Sequence, residues 1–221
     1  MQDYIGALRS ITMGTMLAFQ PNPKVKKMTD TALLVIDVQE SFPHRPYWTA
    51  SGVQTYIKQQ QALIDGCAAR GVPIVQIFHT EAEGHFSHAS SLVKTLTGIS
   101  IQPTVVIEKI VHSAMNGTTL PQWLVRHGIR RLIVSGIRTE QCCETTTRHA
   151  SDSGYAVDYI TEATLTFPMT HAGSGVTYSA DEIKARTELV LADRFARILT
   201  VEQVLATLPA PKSESLGARA A

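Results

Sequence analysis

The chain has 221 residues, with 20 Lys+Arg against 19 Asp+Glu; that balance leaves no cationic excess to draw it to nucleic acid or an anionic membrane, so the expected partners are a small molecule and further copies of itself. No apolar run approaches the roughly 18 residues of a membrane span, and the N-terminus lacks the basic flank, apolar stretch and cleavage site of a secretory signal. Its 3 cysteines cannot complete a disulfide set, and the adjacent Cys142 and Cys143 would form only a strained bridge, which points to a reducing cytoplasm.

Residues 1–28 show no sustained period and read as a flexible extension or a misassigned start, since Met28 opens the run MTDTALLVIDVQ; an amphipathic docking arm is the rival reading. One domain is expected over 29–208, long enough to bury about 70% of its unfolded surface. Residues 209–221 read as a disordered tail. Within the domain, short apolar runs rich in β-branched residues alternate with stretches of helical period. Strands are predicted at 31–37, 73–78, 104–107, 131–135, 156–160 and 197–199. Helices are predicted at 52–70, 90–96, 119–127, 140–153, 180–193 and 201–207. This alternation implies an α/β fold of three layers, αβα, around a mostly parallel sheet of about six strands. Gly136 stands without the companion glycines of a dinucleotide or phosphate loop.

In such a sheet, ligands bind at the carboxyl ends of the strands. Three reactive side chains fall there. Asp37 ends the apolar run ALLVI, a costly place for a carboxylate that is neither paired nor functional. Lys109 ends TVVIEK, on the face opposite Glu108. Cys142 follows RLIVS through a turn into the next helix, with Thr139 as its N-cap. A helix N-terminus and a nearby ammonium both favour thiolate, so Cys142 is expected to be activated. Asp37 could accept the thiol proton and Lys109 could hold the ion pair together, with the backbone N–H groups of Arg138 and Cys142 as an oxyanion hole. The plain readings are a capping aspartate, a solvated lysine and a small buried cysteine.

These residues resemble the isochorismatase-like cysteine hydrolases, a family that includes nicotinamidases, carbamoylsarcosine amidohydrolases and ureidoacrylate amidohydrolases. ALLVIDVQESF is similar to the first-strand motif, with Asp37 as catalytic aspartate and Phe42 as a pocket aromatic. KIVHSAMNGTTL is similar to the lysine motif: Lys109 takes the catalytic position, and Met115 stands where Phe is usual. GIRTEQCCETTTRHA is similar to the nucleophile motif, with Gly136, Thr139, Cys142, Thr146 and Arg148 in register and Cys143 at a packing position. The resemblance implies a cis Ile137–Arg138 peptide, a dimer or tetramer, and hydrolysis of a C–N bond in a small amide, ureido or carbamoyl compound through a Cys142 thioester. A thioesterase or esterase on the same thiolate, and a silent binding protein of the same fold, are the alternatives.

FHTEAEGHFS is similar to the segment that supplies metal ligands in nicotinamidases, with His79 and His85 on two ligand positions. The ligand aspartate is replaced by Ile77 and no further histidine completes the set, so no metal or other cofactor is expected. Phe42, Met115, Ile137, Arg138 and Phe167 are the expected substrate contacts. Arg138 could offer a guanidinium to a substrate carboxylate or pair with a neighbouring element. The long connection TFPMTHAGSGVTYS is expected to close over the pocket and bring Phe167, His171 or Tyr178 to the substrate. His112 and Trp48 are read as pocket or packing residues.

Overall fold

The computed structural model describes residues 29–211, so the N-terminal extension and most of the expected tail lie outside the described residues. Six strands form one parallel sheet: β1 (Thr31–Ile36), β2 (Ile74–His79), β3 (Val105–Lys109), β4 (Arg131–Ile137), β5 (Ala156–Leu165) and β8 (Arg197–Ile198), in the order β3-β2-β1-β4-β5-β8. A two-stranded hairpin, β6 (Met169–Thr170) and β7 (Thr177–Tyr178), lies apart from it.

Why β1 is apolar throughout is visible in its two neighbourhoods. Leu33 and Val35 enter a cluster with Tyr56, Leu63, Ile64 and Cys67 of α1 (Val53–Ala69) and Val201 and Val204 of α5 (Val201–Ala206). Ala32, Leu34 and Ile36 enter a second cluster with Leu120 and Leu124 of α2 (Leu120–Arg126), Ala150 of α3 (Glu144–Asp152) and Leu191 of α4 (Ala180–Leu191). A strand covered on both faces has no place for a polar alternation. Each such side chain, taken fully out of water, contributes about 1.5–3 kcal/mol. Among the described residues no helix is long and apolar enough to cross a membrane.

The chain builds outward from β1 to β2 and β3 on one side, then returns to place β4 and β5 on the other. The order therefore reverses between β1 and β4, and the crevice at their carboxyl ends is where such sheets bind ligands. The chain leaves β1 at Asp37 and β4 at Arg138.

Three expected elements differ. Residues 90–96 do not form a helix: after a left-handed Ser91 the chain runs irregularly past the loop after β1, with Glu40 N donating to Lys94 O, Leu96 N to Val38 O, and Gln76 Nε2 to Thr95 Oγ1. Those bonds to a buried glutamine and a neighbouring backbone outweigh a helical spacing of Leu92, Val93 and Leu96. The expected helix at 140–153 begins as a π-helical turn, Thr139–Cys143, and becomes α only at Glu144. Thr139 makes no side-chain cap; its hydroxyl pairs with Thr164 at 2.8 Å. Strand β5 continues past Ile160 to Leu165, pairing Thr164 and Leu165 with Gly136 and Ile137 across an irregularity in register.

Candidate active site

Asp37 follows β1 in the left-handed region, φ 53°, a conformation short acidic side chains tolerate. Its carboxylate is wholly buried, and Oδ2 accepts from Lys109 Nζ at 2.7 Å. Lys109 ends β3 two strands away, reaching across the end of β2. Its Nζ also contacts Cys142 Sγ at 3.4 Å and His79 Nδ1 at 3.3 Å. Cys142 arrives from the π-helical turn after β4. The structure thus brings together all three residues that the strand-end rule selects. Asp37 Oδ1 is buried without a hydrogen-bond partner among the described residues, and Lys109 Nζ links the carboxylate to the Cys142 thiol. A buried carboxylate oxygen left open is costly unless a proton donor visits it.

Opposing causes act on the sulfur. Burial first, then the Asp37 charge, push the Cys142 thiol up, against the opposing pull of Lys109. Lys109 therefore favours the thiolate at this sulfur, against burial and the Asp37 charge. Cys142 sits fourth in the π-helical turn, within the first turn of the helical stretch that continues into α3. Burial opposes the Lys109 charge, yet Asp37 and Cys142 hold its ammonium above the ordinary lysine value. The Lys109 ammonium thus bridges the Asp37 carboxylate and the Cys142 sulfur.

Backbone and polar side chains fix these parts. Gln39 Oε1 accepts from His79 N at 2.8 Å, and Gln39 Nε2 donates to His79 O at 3.1 Å, which pins the end of β2 to the loop carrying Asp37. The loop after Lys109 is tied to α3: Ala114 N donates to Thr146 Oγ1 at 3.0 Å, and Ser113 Oγ pairs with His149 Nδ1 at 3.0 Å. The Arg138 carbonyl accepts from the Gln141 and Cys143 amides, and the Ile137–Arg138 peptide is cis.

A cleft of about 270 Å³ opens over the sulfur, lined by Phe42, Arg45, Tyr47, His79, His112 and Arg138 among others. Of the expected substrate contacts, Phe42 and Arg138 line it. Met115, Ile137 and Phe167 do not: Met115 and Ile137 pack in the two cores, and Phe167 is fully buried behind the wall, 5.5 Å from Tyr47 and 5.1 Å from Trp48 between ring centroids. The connection at 166–179 does not close over the cleft either. Its hairpin shapes a separate cavity of about 560 Å³ with Glu140, Ile183 and Arg186, and that is where His171 and Tyr178 stand.

Arg138 pairs with Glu140 at 2.8 Å and lies over the Tyr47 ring at 4.8 Å. Sequence reasoning missed Arg45, Tyr47, Glu81, Phe86 and Gln141 as lining residues. Arg45 and Tyr47 come from the loop between the short turn Phe42–His44 and α1, which carries no periodic signal.

The residues do not fit the metal site of the nicotinamidase pattern. Ile77, at the ligand aspartate's position, is wholly buried in the sheet. His79 directs Nδ1 at the Lys109 ammonium, and burial, then Lys109, hold its imidazole below the ordinary value. His85 is exposed and stacks on His44 at 5.4 Å. Among the described residues no three His, Cys, Asp or Glu side chains converge as a metal-binding group.

The sequence matches the family model of the isochorismatase domain over residues 31–203. Nicotinamidase 3 of Arabidopsis thaliana is 28% identical over 193 residues, covering 77% of this chain and 91% of that protein. A crystal structure of an isochorismatase-family protein from Chromobacterium violaceum ATCC 12472 matches with a TM-score of 0.73 at 27% identity, covering 80% of this chain and 93% of the other. Another from Burkholderia xenovorans LB400 gives 0.73 at 30% identity, covering 81% and 87%. The six-stranded parallel sheet and the family match over most of the chain agree, and the protein belongs to the isochorismatase family of hydrolases.

Proposed function

We propose that the protein is a cysteine hydrolase that cleaves a C–N bond in a small amide, ureido or carbamoyl compound. The observation that carries this reading is the open Oδ1 of Asp37 beside the Cys142 thiol, with Lys109 bridging both. Asp37 takes the thiol proton as Sγ attacks the substrate's carbonyl carbon, and Lys109 balances the charge that moves between them. The oxyanion is received by the N–H groups of Arg138 and Cys142. Asp37 then returns its proton to the leaving nitrogen, the C–N bond breaks, and ammonia or an amine departs, leaving a thioester on Cys142. Water hydrolyses that thioester to an acid and the free thiol. The cleft's volume, about 270 Å³, suits a compact substrate. The name of the Arabidopsis relative, an amidase of nicotinamide, favours amide over ester chemistry.

The test is ammonia release from a panel of small amides, ureides and carbamoyl compounds, comparing wild type with Cys142→Ala, Cys142→Ser and Asp37→Asn. Release by the wild type alone supports the reading, and release by Cys142→Ala overturns it. Ester or thioester turnover without any ammonia release would favour a thioesterase instead. We also propose that the chain self-associates, supported by the exposed apolar side chains Ile110, Val125 and Leu189; a monomeric mass by light scattering at micromolar concentration would refute this.

A further inference from the structure

Among the described residues, the charged groups at the cleft face polar or oppositely charged partners, with one exception. Asp37 and Lys109 form the ion pair at the sulfur, 2.7 Å apart. The Arg138 guanidinium is held by Glu140 at 2.8 Å, and both side chains are largely buried. Glu81 is half-exposed, with Oε1 3.5 Å from His79 Nε2. Arg45 lines the same cleft, yet no carboxylate among the described residues comes within ion-pair distance of it. An arginine keeps its charge at any working pH.

That guanidinium is nevertheless held in place. It stands over the rings of Tyr47 and Phe86, 5.7 and 6.0 Å from their centroids. Phe86 is itself buried and meets Phe42 edge-on, with ring centroids 5.1 Å apart. Aromatic faces attract a guanidinium while leaving its N–H edge free to donate. The backbone is tied as well: Arg45 N donates to Phe42 O at 2.9 Å, and Trp48 N to Arg45 O at 3.0 Å. Gln39 Nε2 donates to Ser41 Oγ at 2.8 Å. The turn carrying Arg45 thus hangs on the glutamine that pins the end of β2 to the loop of Asp37.

Nothing in the reaction consumes the Arg45 charge. An amide or ureido group is neutral, and its oxyanion has backbone N–H groups to receive it. The charge is left for a part of the substrate that does not react, where binding energy can hold the carbonyl carbon over the sulfur. A fixed fork of N–H donors matches a carboxylate in two parallel hydrogen bonds. Arg138, the arginine expected in this role from the sequence, is already engaged by Glu140.

We propose that Arg45 is the specificity-determining residue of the cleft, and that the substrate is a small amide or ureido compound bearing a carboxylate at the end remote from the scissile C–N bond. The inference rests on the C–N hydrolase reading above. The carboxylate docks on Arg45, and the carbonyl carbon meets Cys142 Sγ. Glu81 repels a carboxylate placed against its part of the wall, which sharpens the choice of Arg45.

The test is ammonia release by the full-length enzyme from matched triads. Each triad shares a primary amide or ureido group and a methylene spacer, and ends in a carboxylate, its methyl ester or an ammonium; spacers of increasing length span the cleft. In wild type, kcat/KM for the carboxylate is expected to exceed that for the ester by about 10- to 100-fold, chiefly through KM. Arg45→Gln is expected to bring that ratio close to one, and Arg45→Lys to restore part of it. Because the ratio compares two substrates on one protein, a general loss of activity does not move it. A wild-type ratio of one, a ratio that survives Arg45→Gln, or a preference for the ammonium series would overturn the role of Arg45 and leave the C–N reading standing. No ammonia from any triad, together with none from the wider panel of amides, ureides and carbamoyl compounds, would sink both.

Discussion

Gly136 of β4 packs so tightly on β1 that a Cβ built on it would stand 2.0 Å from the Ile36 carbonyl oxygen, and its φ is +133°. Both facts bear on the site, because Ile36 precedes Asp37 and Gly136 opens the turn that delivers Cys142. A side chain at 136 would have to push two central strands apart at their carboxyl ends and adopt a backbone that only glycine enters readily. Gly136→Ala is expected to cost about 2–3 kcal/mol of stability and to lose activity beyond what that cost explains. Urea unfolding beside ammonia release from the folded fraction checks both.

The raised Cys142 thiol makes a prediction opposite to that for a pre-formed thiolate. The Asp37 charge is one of the causes pushing the thiol up, so Asp37→Asn is expected to make Cys142 more acidic while abolishing hydrolysis. A downward shift of one unit would raise the thiolate fraction, and hence iodoacetamide labelling near pH 7.5, about tenfold. Lys109→Met, which removes the opposing cation, is expected to label more slowly than wild type. Rates of Cys142 alkylation by mass spectrometry test this; slower labelling in Asp37→Asn would refute it.

Asp158 is buried at the opposite end of the sheet and pairs with Arg131 on one neighbouring strand and Arg197 on the other. Asp158→Ala leaves two arginines clustered without their anion. Arg197 reaches solvent, so the cost should fall near the low end for a broken buried pair, about 3 kcal/mol. The urea midpoint is expected to drop while kcat/KM on the responding substrate stays at the wild-type value.

Alkaline stability should respond to the buried thiols. Burial pushes the Cys67 thiol from 9.0 up to about 12, so between those values the unfolded chain loses a proton that the folded chain keeps. Stability from this group is then fully present below pH 9 and falls as pH rises toward the folded value, by about 1.4 kcal/mol per unit. Unfolding free energies measured from pH 8 to 11 should decline less steeply in Cys67→Ala than in wild type, whatever that substitution does to the starting stability.

The sheet was legible in the sequence because a doubly covered strand leaves a continuous apolar run, as at 31–36, and the three reactive residues were legible because each stands where such a run ends. The second half of β5 was not, since Thr161, Glu162 and Thr164 interrupt the run while the chain still pairs with β4. Residues 90–96 misled for the converse reason: apolar spacing suited a helix, but Gln76 and the loop after Asp37 hold that segment in an irregular path. The cleft wall was the least legible part. Arg45 and Tyr47 reach it from an irregular loop, and Phe167, expected at the substrate, supports Tyr47 from behind. A longer connection need not be a lid. The depth at which Cys142 is buried was not legible either, because linear order shows a nearby lysine but not what covers the sulfur.

The reactive residues come from strands that are distant along the chain, Asp37 lying 72 residues from Lys109 and Lys109 lying 33 from Cys142. Three separate strand ends must be in register before the ion pair, the thiol and the turn meet. No fragment carrying one βαβ unit holds even a weakened version of the centre. Hydrolysis regained during refolding would therefore time the docking of β3 and β4 on either side of the β1–β2 pair, which makes turnover a clock for the assembly of the sheet rather than for the formation of its helices.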